Sequence, residues 1–507
     1  MNLTPRRSSP PLRSSEQRRG DPEPVDERAD RAHDVRTLAL QVLLPGFAGT
    51  TLPDAYRTLL EQGLGGVCYF GSNTADGPAA LAALSAAIRS ANPGAVVAVD
   101  EEGGDVSRLH TREPSPVLGA AALGGAADLE LTEAVGRWVG HELASVGVTL
   151  DLAPDADVNS DPDNPVIGTR SFGVDPEQVA AHVAAWTRGL QSTGVAACAK
   201  HFPGHGDTAT DSHLDLPRID VDPDTLAARE LVPFDAAVEA GTAAVMTSHI
   251  VVPAIDPDRP ATLSPLVLGM LREVLGFDGV VVSDALDMAG ASAVLGIPDA
   301  AVLALAAGCD LLCLGPDKSA ALVLEVSDAI VAAVADGRLT HDRLADAARR
   351  VAAMDVPATA TTTHPELPDA SRQAGAAASA ARVDGDLPDL AGAVVVSVDT
   401  VANIAVGDVA WGLPADHRLD PGSLADGLPD VVPGDVPLVV QVRDAGRCPE
   451  VLAFLRALAE DGRPAVVVEW GWPSTHDVGL ATISTRGSSA PGVAAVTQLL
   501  RGAGWTR

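Results

Sequence analysis

The chain has 507 residues, 46% hydrophobic and 20% charged, with a formal net charge of −33 and only 3% aromatic residues. That length exceeds one ordinary domain and implies two. The negative excess argues against nucleic acid and anionic membrane partners, which are held through Lys and Arg, and the few aromatics leave little for base stacking.

Residues 1–36 are rich in Pro, Ser, Arg and acids and carry no apolar core of a secretion signal. They are expected to be a disordered tail on a cytoplasmic protein. The five cysteines are odd in number and widely spaced, which suits a reducing compartment. No apolar run reaches the length of a membrane span.

From residue 37 to 357, short apolar runs recur, each followed by an Ala/Leu-rich helical stretch. The runs are "ALQVLL" from Ala39, "GVCYF" from Gly66, "AVVAVD" from Ala95, "VTLDLAP" from Val148, "GVAACAK" from Gly194, "AAVMTSH" from Ala243, "GVVVSD" from Gly279 and "DLLCLG" from Asp310. Continuous apolar runs indicate strands buried on both faces. Eight such β/α units predict an α/β fold of the (β/α)₈ TIM barrel type, with its active site at the C-terminal strand ends. An open doubly wound sheet would show a Gly-rich phosphate loop after the first strand, and "LPGFAGTTLPD" is not one.

Residues 358–379, with Pro and Thr and no periodicity, read as a linker. Residues 380–507 alternate again and predict a smaller α/β sandwich domain. Its strands are expected in "AGAVVVSVD", "VPLVVQVRD" and "PAVVVEWGW", and its helices in "CPEVLAFLRALAED" and "PGVAAVTQLLRG".

Polar residues gather where the barrel runs stop. Asp100 and Arg108 follow the third, Arg170 lies beyond the fourth, His249 ends the sixth and Asp284 the seventh. The fifth leads into "AKHFPGHGDTATDSH", residues 199–213, with three of the chain's twelve histidines and one of its two lysines, Lys200. Charges placed directly after buried strands are costly unless paired or used, and several converging on one face describe a polar pocket. Asp284 can serve as a nucleophile toward an electrophilic carbon or as a helix N-cap. His213 lies two residues after Asp211, so an extended loop points both side chains the same way; the carboxylate can then orient the imidazole for acid/base work. An ordinary loop Asp beside a surface His fits the same spacing. His201, His205, His213, His249 and Asp284 could instead ligate zinc, but the spacing lacks a helical metal motif, so neither metal nor cofactor is expected.

The motifs "VDEEGGDVSRL", "DVNSDPDNPVIGTRSFG", "KHFPGHGDTATDSH", "VMTSHI" and "GVVVSDALDM" resemble glycoside hydrolase family 3, in its bacterial β-N-acetylhexosaminidase branch. They occur in family order between about residues 40 and 355. The resemblance implies Asp284 as catalytic nucleophile, His213 as acid/base and Asp211 as its dyad partner. It implies that Asp100, Arg108, Arg170, Lys200 and His201 hold the hydroxyls and N-acetyl group of a terminal sugar. The implied reaction is retaining, exo-acting release of terminal β-linked GlcNAc from cell-wall muropeptides or related glycosides, through a covalent glycosyl-aspartate. The partner is then a carbohydrate substrate, and a monomer is the favoured state. A β-glucosidase or β-xylosidase of the same family and a GlcNAc phosphorylase are alternatives; a metal-dependent hydrolase and a silent sugar-binding barrel stand further off. Two positions depart from the family pattern D-Q-E-G-G-R-V-x-R. Glu101 replaces Gln and Asp105 replaces the first Arg; Asp100 and Arg108 are kept, so activity is expected to survive, while the added negative charge opposes affinity for acidic muropeptide aglycones.

Overall fold

A computed structural model describes residues 27–208, 216–355, 367–400, 405–407, 409–426, 428, 432, 434, 436–473 and 476–507. Eight parallel strands form the first sheet. They are β1 (Leu43–Pro45), β2 (Gly66–Tyr69), β3 (Val96–Val99), β4 (Leu150–Asp151), β5 (Ala196–Phe202), β6 (Ala244–Thr247), β7 (Val280–Ser283) and β8 (Leu311–Gly315). Their order is β1-β8-β7-β6-β5-β4-β3-β2, and β1 and β2 touch across the remaining seam. The sheet is thus a nearly closed barrel with a strand at each of the eight apolar runs, β1 and β5 running on past theirs to Pro45 and Phe202. The first run differs in detail: its residues through Gln41 end a helix, Glu27–Gln41, and the strand starts at Leu43. That helix also occupies the last part of the tail expected to be disordered. Val35, Ala39 and Leu40 recur at helical spacing and are buried, which supplies the reason.

The strand period of two sorts the barrel side chains. Val96, Ala98, Leu150, Leu152, Ala196, Cys198, Met246, Val280 and Val282 pack together inside the barrel. Val97, Val99, Ala197, Val245 and Val281 join the larger core between strands and helices. Outer helices start at side-chain caps, with Asp128, Asp175, Ser264, Ser319 and Thr340 each accepting from an amide of the first turn.

The second sheet has six strands: β9 (Arg382–Asp384), β10 (Val394–Val398), β11 (His417–Leu419), β12 (Leu438–Val442), β13 (Ala465–Glu469) and β14 (Ala481–Ser484). The order is β9-β14-β13-β12-β10-β11, parallel except for the β9–β14 pair. The expected strands correspond to β10, β12 and β13, and the expected helices to Pro449–Glu460 and Ala490–Gly502. A further helix, Ala370–Ala380, lies where the linker was expected and packs on helices Ala120–Ala126 and Ala490–Gly502. Its small side chains permit that contact without forming a large apolar stripe.

Candidate active site

Strand parity builds the site. Asp100 stands two residues beyond Ala98, Lys200 two beyond Cys198 and Asp284 two beyond Val282, so all three continue inward-facing rows of the barrel. They meet at the C-terminal strand ends around a pocket of about 360 Å³. Its floor is apolar, with Cys68, Leu152, Met246 and Cys313; its walls carry Asp100, Glu102, Arg108, Arg170, Lys200, His201, His205 and Asp284. Three wider clefts, of about 610 Å³ beside Val294, 710 Å³ on the C-terminal sheet and 610 Å³ beside Phe454, contain none of these groups.

The loop after β3 turns tightly at Gly103 and Gly104, whose φ values of +75° and +57° suit glycine. A Cβ on Gly104 would come within 2.5 Å of the Gly119 backbone. The turn aims Glu102 inward. Its carboxylate takes Arg170 in bidentate fashion, Nε at 3.0 Å and Nη2 at 2.8 Å, and takes Lys200 Nζ at 2.7 Å. Lys200 Nζ also reaches Asp100 Oδ1 at 2.7 Å. Burial opposes ionisation of Glu102, but the charges of Arg170 and Lys200 outweigh it and hold the carboxyl well below its usual range. Burial likewise opposes the Lys200 ammonium, yet Asp100 and Glu102 keep its pKa above the ordinary lysine value.

Asp157 organises the turn beyond β5. Its Oδ1 accepts from the amides of His201 at 3.2 Å and His205 at 2.7 Å, and its Oδ2 lies 2.7 Å from His201 Nδ1. His201 Nδ1–H therefore donates to Asp157, which leaves Nε2 to accept from Arg170 Nη2 at 3.3 Å. Burial, then the Arg170 charge, lowers the His201 pKa to about 4; burial does the same to His205. Both imidazoles are neutral near pH 7. Gly206 lets this turn press against β4's extension, since a Cβ there would strike Val158 O at 1.7 Å.

One metal-like grouping exists among the described residues: ligand atoms of Asp155, Asp157 and His201 lie within 4.8 Å of one another. His201 Nδ1 is engaged by Asp157, and the Arg170 guanidinium stands 3.8 Å from Asp155 as the neutralising cation. Burial and the neighbouring Asp157 push the Asp155 carboxyl well above its usual range, toward its protonated form. These features favour an internal hydrogen-bonded network. His249 is occupied differently. Its Nε2–H donates to Ala285 O at 3.0 Å, steadying the residue after Asp284. Asp284 Oδ1 in turn accepts from Ala285 N at 2.7 Å, and helix begins only at Ala289, so Asp284 faces the pocket and caps no adjoining helix.

Asp100, Arg108, Arg170, Lys200, His201 and Asp284 thus line one cavity. Asp211 and His213 lie outside the described residues. The sequence reading missed Glu102 and Asp157, which hold the cations and the histidine turn. The added carboxylates of Glu101 and Asp105 are both held in internal contacts. Glu101 is buried and accepts from the amides of Arg108 and Leu109, at 2.8 and 3.0 Å; Asp105 pairs with Arg443 of the C-terminal domain at 3.1 Å. Neither carboxylate lines the pocket.

Residues 41–354 match the model of the glycosyl hydrolase family 3 N terminal domain. A β-hexosaminidase of Methylococcus capsulatus is 39% identical over 276 residues, 53% of this chain and 81% of that protein. Beta-hexosaminidase A of Pseudoalteromonas piscicida is 36% identical over 288 residues, 52% of this chain and 48% of that longer protein. A solved family 3 β-N-acetylglucosaminidase from Paenibacillus sp. superposes with a TM-score of 0.82 at 30% identity, covering 92% of this chain and 96% of its own. With more than half its length matching the family model and its barrel end built around these residues, the chain belongs to glycosyl hydrolase family 3.

Proposed function

We propose that this glycoside hydrolase is a retaining, exo-acting β-N-acetylglucosaminidase. The observation that carries the reading is the pocket itself: a compact cavity of about 360 Å³ with Asp284, Asp100, Lys200, Arg108 and His201 on its walls. That volume is at the low end for ligand sites and suits one terminal sugar better than a run of sugars. Charged donors and acceptors locked by mutual ion pairs give a sugar's hydroxyls fixed partners at little ordering cost.

In this reading Asp284 attacks the anomeric carbon while His213, oriented by Asp211, protonates the departing glycosidic oxygen. The C–O bond to the aglycone breaks as the bond to Asp284 forms. His213 then takes a proton from water, the water oxygen displaces Asp284, and the sugar leaves with its β configuration retained. Asp100, Arg108, Arg170, Lys200 and His201 bind the sugar. Muropeptide fragments in the cytoplasm are the proposed natural substrates. The free state of all five cysteines suits that compartment, and no described helix is long and apolar enough to cross a membrane.

Turnover of 4-nitrophenyl β-GlcNAc against the β-glucoside, with and without inorganic phosphate, tests the reading. Faster cleavage of the GlcNAc substrate to free sugar is expected. Preference for the glucoside would replace the substrate, and accumulation of sugar 1-phosphate would replace hydrolysis with phosphorolysis. Mass spectrometry after a 5-fluoro glycosyl trap should find the label on the peptide containing Asp284.

A further inference from the structure

The loop that carries Asp100, Glu102 and Arg108 is not anchored by the barrel alone. Asp105, at its tip, is buried, and three groups from three segments converge on it. Its Oδ2 accepts from Thr169 Oγ1 at 2.8 Å, beside the sugar-site Arg170. Its Oδ1 accepts from Arg443 Nη2 at 3.1 Å and from Ser488 N at 3.0 Å, both in the C-terminal domain. Both partners of the Asp105–Arg443 pair are only 5% exposed. Arg443 is steadied from the other side by Trp411, whose ring centre lies 5.1 Å from the guanidinium carbon. Gly487, at φ +109°, lets its strand-end loop approach, since a Cβ there would sit 3.0 Å from Asp105 Oδ2. Two further links repeat the pattern: Arg108 Nη2 donates to Ala405 O, which borders the pocket, at 2.9 Å, and Arg447 Nη1 donates to Pro165 O at 3.1 Å.

We propose that Arg443 of the C-terminal domain is a positioning residue of the sugar site, acting through Asp105 to fix the Asp100–Arg108 loop and the Arg170 turn together. The two domains then form one binding unit. Arg443 does not itself line the pocket. Its effect travels along a short covalent stretch: Asp105 is three residues from Glu102 and three from Arg108, and that stretch has its own tight turn, Glu102 N to Val106 O at 3.0 Å. A buried ion pair that loses one member leaves an uncompensated charge, so the loop must shift to reach water. Arg108 and Glu102 move with it.

The proposal rests on the sugar-site reading above, and its test separates the two. The full chain would be compared with Arg443→Met, Asp105→Asn, Arg443→Lys and the reciprocal Asp105→Arg/Arg443→Asp pair. Hydrogen exchange of the peptide covering residues 101–109 needs no substrate. Arg443→Met should accelerate it at least tenfold, in a chain still folded by circular dichroism though with a lowered unfolding temperature. For 4-nitrophenyl β-GlcNAc, KM should rise about tenfold in Arg443→Met while kcat changes less than threefold. The milder, nearly isosteric Asp105→Asn should follow in the same direction. Arg443→Lys and the reciprocal pair should each recover part of both effects. Unchanged exchange in folded Arg443→Met overturns the lock, and accelerated exchange with unchanged KM overturns the positioning role. If the wild-type chain shows no turnover of the GlcNAc glycoside while exchange accelerates, the lock stands and the substrate reading falls.

Discussion

Lys200→Arg keeps the charge and changes only its shape, which makes it a sharp probe of the site. Lys200 is 1% exposed, and its ammonium spans Asp100 Oδ1 and Glu102 Oε1 at 2.7 Å each. A guanidinium brings five donors in a rigid plane to a place that offers these two acceptors, and Arg170 already holds the other side of Glu102. Overpacking a filled interior costs about 1–3 kcal/mol, and a buried unsatisfied donor costs about 1–3 kcal/mol more. The lower ends of both sum to about 2 kcal/mol, or roughly thirtyfold in kcat/KM if the strain is relieved by displacing Asp100 from the sugar. The assay is kcat and KM on 4-nitrophenyl β-GlcNAc, with thermal unfolding alongside to confirm folding. Lys200→Met, which takes the cation from Asp100 and leaves Glu102 to Arg170 alone, should be worse on both measures and cost about 3–5 kcal/mol of stability. A Lys200→Arg enzyme within threefold of wild type in kcat/KM would refute the fixed-geometry argument, because any cation would then do.

Asp284→Ala should lower kcat by several orders of magnitude with the fold intact by circular dichroism, and a residual rate above a thousandth of wild type points to another nucleophile. His213→Ala should slow substrates with poor leaving groups far more than 4-nitrophenyl substrates, since an activated phenol needs less protonation; equal losses on both remove the acid role. Glu230 tests buried charge away from the pocket. Burial outweighs the help of Arg229 and raises its carboxyl from 4.5 to about 7. Ionised Glu230 therefore favours the unfolded chain: the penalty is absent below pH 4.5, grows between pH 4.5 and about 7, and is complete above. Glu230→Gln should stabilise the protein at pH 8, by up to about 3 kcal/mol in urea unfolding, and leave it little changed at pH 4. An equal gain at both pH values excludes ionisation as its source.

The barrel was legible because its strands are buried on both faces and so read as unbroken apolar runs; a strand lies at each of the eight. Asp100, Lys200 and Asp284 were legible because they directly follow such runs. Glu102 and Asp157 were not, since each is one acid among 68 and its meaning depends on partners 44 to 98 positions away. Their motifs contained them, but only closure of the barrel shows which acids meet a cation. The Asp105–Arg443 pair, 338 positions apart, was further beyond reach. The helix Ala370–Ala380 was missed because Ala, Gly and Ser give no amphipathic signal, although they allow close packing.

The shared parity of β3, β5 and β7 also limits how the sequence can change length. Adding or deleting a single residue within any of these strands would rotate everything after it by half a period, so that Asp100, Lys200 or Asp284 would turn outward among the surrounding helices and its neighbour in sequence would take its place. Changes of two residues preserve direction but raise or sink the group by one layer. Length variation compatible with this chemistry is therefore confined to the connecting loops, and the strands behave as a reading frame whose final codons are the reactive groups.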